Sequence, residues 1–348
     1  MITAPSLSIE DFLRAAKSQP IFDVRTPSEF AHAHIPSARN LALFSDEERV
    51  IIGTAYKQES REKAIMHGFE FFGPKMKLLV EAALEQSSGR DVLVHCWRGG
   101  MRSSAVGWLL NFYGITANTL VGGYKAFRNY ALRSFDTPKK LIIIGGRTGS
   151  GKTHILNEIR KMGGQTIDLE AIANHKGSAF GGLGMPSQPT QEQFENNLAM
   201  EYRAVYDDST VWLEDESRKI GTAMLPENLY KQIRSAPVIV LDVPIEQRIA
   251  TLVEDYAGEG TPELRNSILK IRERLGGLHT KMALEELDNE RFAECFEILL
   301  NYYDKTYQFG LAKRSPETVF HLNISGGNAA DNARLLVDFA STITIQHN

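Results

Sequence analysis

Short apolar runs alternate along the chain with longer segments in which apolar residues recur at helical spacing. The runs Ile21–Val24, Val92–Val94 and Leu141–Ile144 have the length and composition of buried strands. The helical pattern after the third run places four apolar residues on one face, namely Ile155, Leu156, Ile159 and Met162. Strands that alternate with helices form parallel sheets covered by helices. The pattern therefore predicts the α/β fold class.

The chain is long enough for two domains, since it has 348 residues of which 43% are hydrophobic. A short polar segment, Ser134–Lys140, separates two blocks of strand and helix patterns. We predict a first domain of residues 1–135 and a second of residues 136–348. The C-terminal part of the second domain is predicted to be helical, with one apolar face formed by Leu264, Ile268, Ile271 and Leu275.

One cysteine lies in a glycine-containing loop that closes on an arginine, within His95–Ser103. The loop follows a predicted strand and precedes a helical pattern at Ser104–Leu110, so backbone N–H groups and the positive end of a helix converge on the Cys96 sulfur. Such surroundings stabilise a thiolate and bind an oxyanion. We predict that Cys96 and Arg102 are catalytic. The substrate loop between them consists of Trp97, Arg98, Gly99, Gly100 and Met101.

A second motif, Gly146–Thr153, matches the P-loop pattern G-x-x-x-x-G-K-[ST]. A predicted strand precedes it and a helical pattern follows, which is the context that the motif requires. The glycines let backbone N–H groups approach a phosphate chain, while Lys152 adds a positive charge. The predicted phosphate-binding residues are Gly146, Gly149, Ser150, Gly151, Lys152 and Thr153.

Acidic residues end three apolar runs of the second domain, which are Gln165–Asp168, Thr210–Glu216 and Ala236–Val243. Glu214 and Asp215 are candidates for the acidic pair that holds Mg²⁺ opposite a P-loop, and we expect Thr153 and Asp215 to contribute to such a site. The alternative is that these carboxylates only cap turns at strand ends, and the sequence leaves both open. Asp168 and Asp242 are weaker candidates.

The segment His175–Pro189 is rich in glycine and proline, which predicts a long loop with an apolar tip around Phe180 and Met185. Loops of this kind often act as lids over a site, although a surface loop without function is the alternative.

Only two cysteines occur, Cys96 and Cys295, so a disulfide framework and a cysteine-rich metal site are excluded. Cys295 lies in a helical pattern and is predicted to be a packed core thiol. Low cysteine content favours a reducing compartment, and we expect the protein in the cytoplasm, away from membranes, because no apolar run approaches the ~18 residues of a membrane span. The formal net charge of −4 gives no support for nucleic acid, so any RNA surface must be local.

Three further segments resemble the markers of a rhodanese domain, in the same order. They are Asp23–Phe30, His34–Asn40 and Leu120–Tyr124, which read Asp-Val-Arg-x-x-x-Glu-Phe, His-Ile-x-x-Ala-x-Asn and Leu-x-Gly-Gly-Tyr. From the residues themselves we expect Asp23 and Arg25 to brace loops by ion pairing and His34 to be a structural brace. The resemblance implies an N-terminal rhodanese-like α/β domain that carries a chalcogen atom on its cysteine, followed by a P-loop NTPase-like parallel-sheet α/β domain.

A rhodanese domain joined to a P-loop domain, with these two loop sequences and with His-Lys-Gly-Ser-Ala-Phe-Gly at 175–181, resembles the bacterial tRNA 2-selenouridine synthase family. The resemblance implies a transferase of selenium-containing groups that acts at the wobble uridine of certain tRNAs. A 2-thiouridine is geranylated with geranyl diphosphate, and the S-geranyl group is then replaced by selenium from selenophosphate through an S-selanyl intermediate on Cys96. The diphosphate would lie in the P-loop and the prenyl tail under the loop around Phe180 and Met185.

The same resemblance implies no tightly bound cofactor, with selenophosphate and geranyl diphosphate as co-substrates and Mg²⁺ as an optional ion. It implies tRNA and a selenophosphate synthetase as partners. Three alternatives stay open at this point. The protein could be a rhodanese-type persulfide sulfurtransferase, a cysteine phosphatase that uses the Cys-x5-Arg loop, or a nucleotide-regulated RNA-binding module. A phosphatase needs a general acid, and the chain has no Trp-Pro-Asp segment to supply it.

Overall fold

The computed structural model describes residues 4–87, 89–206, 208–324 and 328–343. The chain divides into two compact units, one formed by Met1–Ser134 with Glu195–Met200 and the other by Phe135–Phe194 with Glu201–Asn348. Each unit contains a parallel five-stranded sheet, so the predicted α/β class is confirmed.

The first unit is a parallel sheet with strand order β1-β5-β4-β2-β3. Its strands are β1 Ser6–Leu7, β2 Ile21–Asp23, β3 Arg39–Asn40, β4 Asp91–His95 and β5 Thr116–Leu120. Its helices are α1 Ile9–Ala15, α2 Pro27–His32, α3 Asp46–Gln58, α4 Arg61–Phe72, α5 Met76–Gln86, α6 Met101–Tyr113 and α7 Gly123–Arg133, with a 3-10 turn at Gly73–Lys75.

Strand β4 is the middle strand of this sheet and is buried from Val92 to His95. Its apolar side chains pack with those of β2 and α6, including Phe22 and Leu110. Because the middle strand of a parallel sheet is covered on both faces, the residue that follows it is fixed in position. That residue is Cys96.

The second unit has the sheet order β12-β11-β6-β8-β7, and β9 and β10 form a separate antiparallel pair. Its strands are β6 Leu141–Gly146, β7 Gln165–Ile167, β8 Val211–Glu214, β9 Lys219–Ile220, β10 Ala223–Met224, β11 Val238–Asp242 and β12 Val319–Asn323. The helices that follow α7 in the chain are α8 Lys152–Lys161, α9 Leu169–Ala173, α10 Gln191–Ala204, α11 Glu227–Ser235, α12 Ile245–Tyr256, α13 Thr261–Lys270, α14 Arg272–Leu275, α15 Gly277–Asp288, α16 Phe292–Leu311 and α17 Ala329–Ser341. Further 3-10 turns lie at Ser134–Asp136, Ala257–Glu259 and Pro316–Thr318.

The predicted apolar faces of the second unit are buried with one exception. Ile155, Leu156 and Ile159 of α8 lie in the core, but Met162 is 46% exposed because it caps the helix after the last regular turn. The predicted C-terminal helical face is buried at all four positions, which are Leu264, Ile268, Ile271 and Leu275. The segment predicted as a polar linker begins with a 3-10 turn and buries Phe135 against Tyr202. No helix in the described ranges is long and apolar enough to cross a membrane.

Candidate active sites

The Cys96 sulfur lies at the N-terminus of α6. The Gly100 backbone N–H donates to Sγ over 3.3 Å, and the Ser103 hydroxyl oxygen lies 3.2 Å from it. Gly100 is the N-cap of this 13-residue helix, so the positive end of the helix dipole also faces the sulfur. A backbone N–H and the positive end of a helix are also the groups that bind an anion beside this sulfur.

The backbone of the substrate loop is braced by the Gly-Gly-Tyr marker of the rhodanese pattern. The Tyr124 N–H donates to the Cys96 carbonyl at 2.8 Å, and the Lys125 N–H donates to the Trp97 carbonyl at 3.0 Å. Gly99 and Gly123 both have positive φ and lie back to back, so a side chain at Gly123 would collide with the Cys96 carbonyl and the Gly99 nitrogen. The two segments therefore require glycine where they meet.

Arg102 is held in place by the glutamate of another rhodanese marker, Glu29. Its Nη1 donates to Glu29 Oε2 at 2.6 Å and its Nη2 to Oε1 at 3.3 Å. Glu29 also closes a capping box with Thr26 at the start of α2. Burial alone would raise the pKa of Glu29, but the hydrogen bond and charge of Arg102 outweigh burial and hold this pKa below its ordinary value. The guanidinium is thereby oriented beside the loop that follows Cys96.

The remaining rhodanese markers brace the unit, as the sequence predicted. Asp23 and Arg25 form a buried ion pair at 2.6 Å, and the Arg25 guanidinium lies 3.9 Å from the centre of the Tyr124 ring. The His34 Nδ1 atom lies 2.9 Å from the Phe30 carbonyl oxygen, and the two rings stack. These contacts fix the positions of the loops around Cys96.

The other loop residues face outward. Trp97, Arg98 and Met101 have exposed side chains, and with Cys96 they border a cavity in the first unit.

The second thiol has different surroundings, because Cys295 lies inside α16 in a helical core cluster. Cys295 is buried, which confirms the prediction of a packed core thiol, and burial raises its pKa to about 12.

The P-loop joins β6 to α8 as its pattern predicts. Gly149 and Gly151 have positive φ, and a side chain at Gly149 would collide with the Arg248 carbonyl. The Lys152 ammonium lies 3.1 Å from the Gly146 carbonyl, folded back over the loop. The Ser150 hydroxyl is buried without a hydrogen-bond partner among the described residues. Backbone N–H groups at a helix N-terminus together with a lysine form a cradle for phosphate groups.

Three glutamates gather beside the P-loop helix. Glu170 of α9, Glu214 at the end of β8 and Glu216 offer carboxylate oxygens that lie within 4.8 Å of one another. The Thr153 hydroxyl donates to Glu170 at 3.3 Å. Both carboxylate oxygens of Glu214 are buried and lack a hydrogen-bond partner within the described ranges.

Burial, reinforced by the neighbouring negative charges, raises the pKa of each of these glutamates. The pKa values rise to about 8 for Glu170, about 8 for Glu214 and about 7 for Glu216, although Lys152 opposes the shift. A divalent cation would relieve the repulsion, and clustered carboxylate and hydroxyl oxygens are the donor set that Mg²⁺ prefers. Thr153 and the three glutamates would therefore hold such an ion.

The expected metal ligand Asp215 is not part of this group. Its carboxylate accepts a hydrogen bond from Arg314 at 2.6 Å, which neutralises its charge. Asp168 is the N-cap of α9, and Asp242 pairs with His321. Side chains alternate along an extended chain, so Glu214 and Glu216 lie on one side and Asp215 on the other. This alternation could have predicted Glu216 as a partner of Glu214 from the sequence. No sequence feature could have predicted Glu170, which is only an acidic residue in the first turn of a helix.

The loop at 175–189 was expected to have an apolar tip that covers a prenyl chain, but Phe180 is packed into the core and Met185 is half-buried. Phe180 is 4% exposed and contacts the rings of Tyr256, Phe296 and Tyr303. Gly177 lies against Glu216 and Glu170, where a side chain would collide with both carboxylates. The segment therefore packs against the carboxylates of Glu170 and Glu216. Because Phe180 is buried, its side chain is unavailable to cover a prenyl chain.

Comparison with known proteins assigns both halves of the chain. Residues 139–326 match the family model described as the tRNA 2-selenouridine synthase AAA domain, and residues 8–130 match the rhodanese-like domain. A protein of Hydrogenovibrio crunogenus named tRNA 2-selenouridine synthase is 33% identical over 90% of this chain and 95% of its own length. The chain belongs to the tRNA 2-selenouridine synthase family.

Two further members of the tRNA 2-selenouridine synthase family have similar coverage. The Bdellovibrio bacteriovorus protein is 34% identical over 86% of this chain and 91% of its own, and the Shewanella frigidimarina protein is 33% identical over 87% and 92%. The Cys96 loop lies within the rhodanese-like match. The P-loop and the three glutamates lie within the AAA match that defines the family.

Proposed function

We propose that this protein is a tRNA 2-selenouridine synthase that works in two steps at the wobble uridine. The observation that carries the proposal is the presence of two differently built anion sites in one chain of this family. One site presents the Cys96 sulfur with a fixed arginine, and the other is a P-loop beside three glutamates. A plain sulfurtransferase has no use for the second site.

In the first step, the P-loop binds the diphosphate of geranyl diphosphate. Lys152 and the loop N–H groups stabilise the negative charge that grows on the diphosphate as it leaves, and the thiocarbonyl sulfur of 2-thiouridine takes the geranyl group. A Mg²⁺ ion, when bound by Thr153 and the three glutamates, would supply further positive charge there. Alkylation allows the sulfur to leave C2 as a neutral thiol, so a selenium nucleophile can displace it in the second step.

In the second step, the Cys96 thiolate attacks the selenium of selenophosphate, and the Se–P bond breaks with phosphite as the leaving group, which gives an S-selanyl group on Cys96. The terminal selenium then bonds to C2 as geranylthiol leaves, and a small-molecule thiol breaks the S–Se bond by forming a disulfide with the Cys96 sulfur, which a second thiol reduces. Arg102, held by Glu29, and the Gly100 N–H bind the phosphate of the donor. The protein then depends on tRNA and on a selenophosphate synthetase as partners. The S-selanyl group places the protein in the same chemical class as persulfide-carrying rhodaneses, with selenium in place of sulfur.

The test is mass spectrometry of nucleosides from 2-thiouridine tRNA incubated with geranyl diphosphate and then selenophosphate. We expect 2-selenouridine with the wild-type protein, S-geranyl-2-thiouridine with Cys96→Ser, and unchanged 2-thiouridine with Lys152→Ala. Unmodified tRNA with the wild-type protein would contradict the proposal. Thiosulfate turnover without tRNA would then favour a sulfurtransferase, release of phosphate from a phosphorylated substrate would favour a phosphatase, and tRNA binding unaffected by Cys96→Ser would favour an RNA-binding module.

A further inference from the structure

A cavity of about 1020 Å³ lies in the first unit, and Cys96, Gly100 and Arg102 form part of its wall. Helices α3 and α4 supply much of the remainder. Pockets for small organic ligands have volumes of roughly 300–1,000 Å³. The space beside the thiol is therefore far larger than a phosphate-sized selenium donor requires.

The walls of this cavity are mainly apolar, and several of their large side chains remain open to solvent. Val50 and Tyr56 of α3 are 67% and 59% exposed, and Phe69 of α4 is 62% exposed. Both helices begin with side-chain caps, at Ser45 and Ser60, so this apolar surface belongs to well-formed helices. A contiguous exposed apolar surface around a concave site marks a place where an apolar ligand binds.

Two glycines in the middle of these helices keep the cavity open. Gly53 of α3 and Gly68 of α4 both line it. A side chain at Gly53 would meet only the end of the Arg49 side chain, and one at Gly68 would have no neighbour closer than the Phe44 ring at 3.9 Å. Glycine is unfavourable inside a helix, so its presence at two positions that face the same space needs a reason. We infer that glycine at these two positions leaves space for a ligand.

The polar part of the cavity wall is basic. Arg49, Lys57 and Arg98 have exposed side chains on this wall, and none of them forms an ion pair with a carboxylate in the part of the chain that the structure describes. Cations in such positions suit the phosphate backbone of an RNA. The cavity thus combines an apolar interior with a basic edge, which matches a ligand that has an apolar chain attached to a nucleic acid.

We propose that this cavity binds the prenyl chain carried on the sulfur of the alkylated 2-thiouridine, and that it thereby places C2 of the base beside Cys96. The inference rests on the proposed function, which makes the S-prenyl base the substrate of the second step. Selenophosphate is a small anion and finds its partners in the Gly100 N–H and Arg102. The uridine ring is polar. The prenyl chain is the one apolar group in this step whose size and chemistry match α3 and α4.

The same site then receives the leaving group. When the C2–S bond breaks, the sulfur keeps the bonding electrons, takes up a proton and stays in the cavity as the prenyl thiol, while selenium forms its bond to C2. The thiol and the next S-prenyl base compete for one place. Free geranylthiol is therefore expected to inhibit the second step competitively with S-geranyl RNA and to leave the alkylation of 2-thiouridine unaffected.

The test measures binding of anticodon stem-loop RNAs that carry S-geranyl-2-thiouridine or S-methyl-2-thiouridine, without selenophosphate. The wild-type protein is expected to prefer the S-geranyl RNA at least tenfold, a factor that corresponds to 1.4 kcal/mol. Gly53→Leu, which fills the cavity, is expected to abolish this preference and to bind the S-methyl RNA as the wild type does. Ile51→Phe is the matched control, because Ile51 lies on the same helix but does not line the cavity. It keeps the preference.

Equal binding of the two RNAs by the wild type, or an undiminished preference in Gly53→Leu, overturns the inference. A diazirine at the end of the prenyl chain provides an independent measurement, since labelling of residues 46–72 supports the cavity and labelling confined to residues 139–326 overturns it. The rate of Cys96 alkylation by iodoacetamide shows whether the Gly53→Leu site is intact. Failure of the proposed function is recognised separately, because the wild type would then fail to convert S-geranyl RNA to selenouridine with selenophosphate.

Discussion

The guanidinium of Arg102 binds the carboxylate of Glu29 through two hydrogen bonds, although the two residues lie 73 positions apart in the chain. The pair leaves Arg102 with a fixed direction beside the substrate loop. Because bidentate geometry depends on both carboxylate oxygens, loss of one changes where the guanidinium points. The catalysis that we propose at Cys96 should therefore depend on Glu29, which is not proposed to contact the substrate.

Glu29→Gln is expected to lower the rate of the selenium step about 10- to 100-fold and to leave geranylation unchanged. The pKa of Glu29 is lowered from its ordinary value near 4.5, so its carboxylate is ionised, and the pair intact, at all higher pH values, and the pair is lost only as pH falls through the lowered pKa. The wild-type pH profile should consequently show no step from Glu29 between about pH 5 and 9. Rates with Glu29→Gln equal to wild type would mean that Arg102 needs no partner.

Two neighbouring glycines of the substrate loop should differ sharply in their tolerance of alanine. Gly99 has a φ of +65° and faces the Leu120 carbonyl, whereas Gly100 has negative φ and open space around it. Gly99→Ala is expected to destabilise the protein by about 1–3 kcal/mol and to impair the selenium step. Gly100→Ala keeps its N–H and should retain activity within about twofold. Thermal unfolding and nucleoside analysis of both variants would detect any reversal of this order.

The two cysteines should react very differently with iodoacetamide. Both thiols are buried, but Cys96 lines the cavity, whereas Cys295 lies inside a core cluster where its pKa is raised to about 12, so its thiol stays protonated at pH 8. Peptide mapping of the native protein at pH 8 is expected to find the label on Cys96, and selenophosphate should protect that residue. Denatured protein supplies the control, because both thiols then react. Label on Cys295 in the native protein would contradict the burial seen for α16.

Magnesium should stabilise the protein through Glu214. An ion that binds only the folded state at 100 times its Kd contributes about 2.7 kcal/mol, which raises the midpoint of thermal unfolding by several degrees. Glu214→Gln is expected to remove this shift because it takes a ligand and a charge from the site. Asp215→Asn is the matched control. It breaks the pair with Arg314 and lowers the basal midpoint, but the shift with Mg²⁺ should persist.

Local patterns predicted the strands and helices of both sheets because apolar spacing and the two loop motifs act over short distances. Strand β4 and helix α6 appear where Val92–Val94 and Ser104–Leu110 indicated them, and the P-loop lies between its predicted strand and helix. The pairing of Arg102 with Glu29 was beyond such patterns. A sequence motif identifies each residue, but contact between them depends on how β2 and β4 pair.

The prediction for Asp215 failed for a physical reason that the sequence contained. In an extended chain neighbouring side chains point in opposite directions, and Glu214 and Glu216 share the P-loop side. The prediction for Phe180 failed because its partners, Tyr256, Phe296 and Tyr303, come from helices far along the chain. The cavity at α3 and α4 was likewise unseen. The cavity is formed by two helices together, so the sequence of either helix alone does not reveal it.

In each of the two sheets, the loop that we propose as an anion site follows the middle strand and precedes a helix, β4 to α6 in one and β6 to α8 in the other. Both loops offer backbone N–H groups to an anion, so inorganic phosphate can occupy either of them. Phosphate buffer would therefore compete with the substrates at both loops. Phosphate-buffered assays should slow both steps of the proposed reaction at once, and the rates measured in such a buffer would be too low.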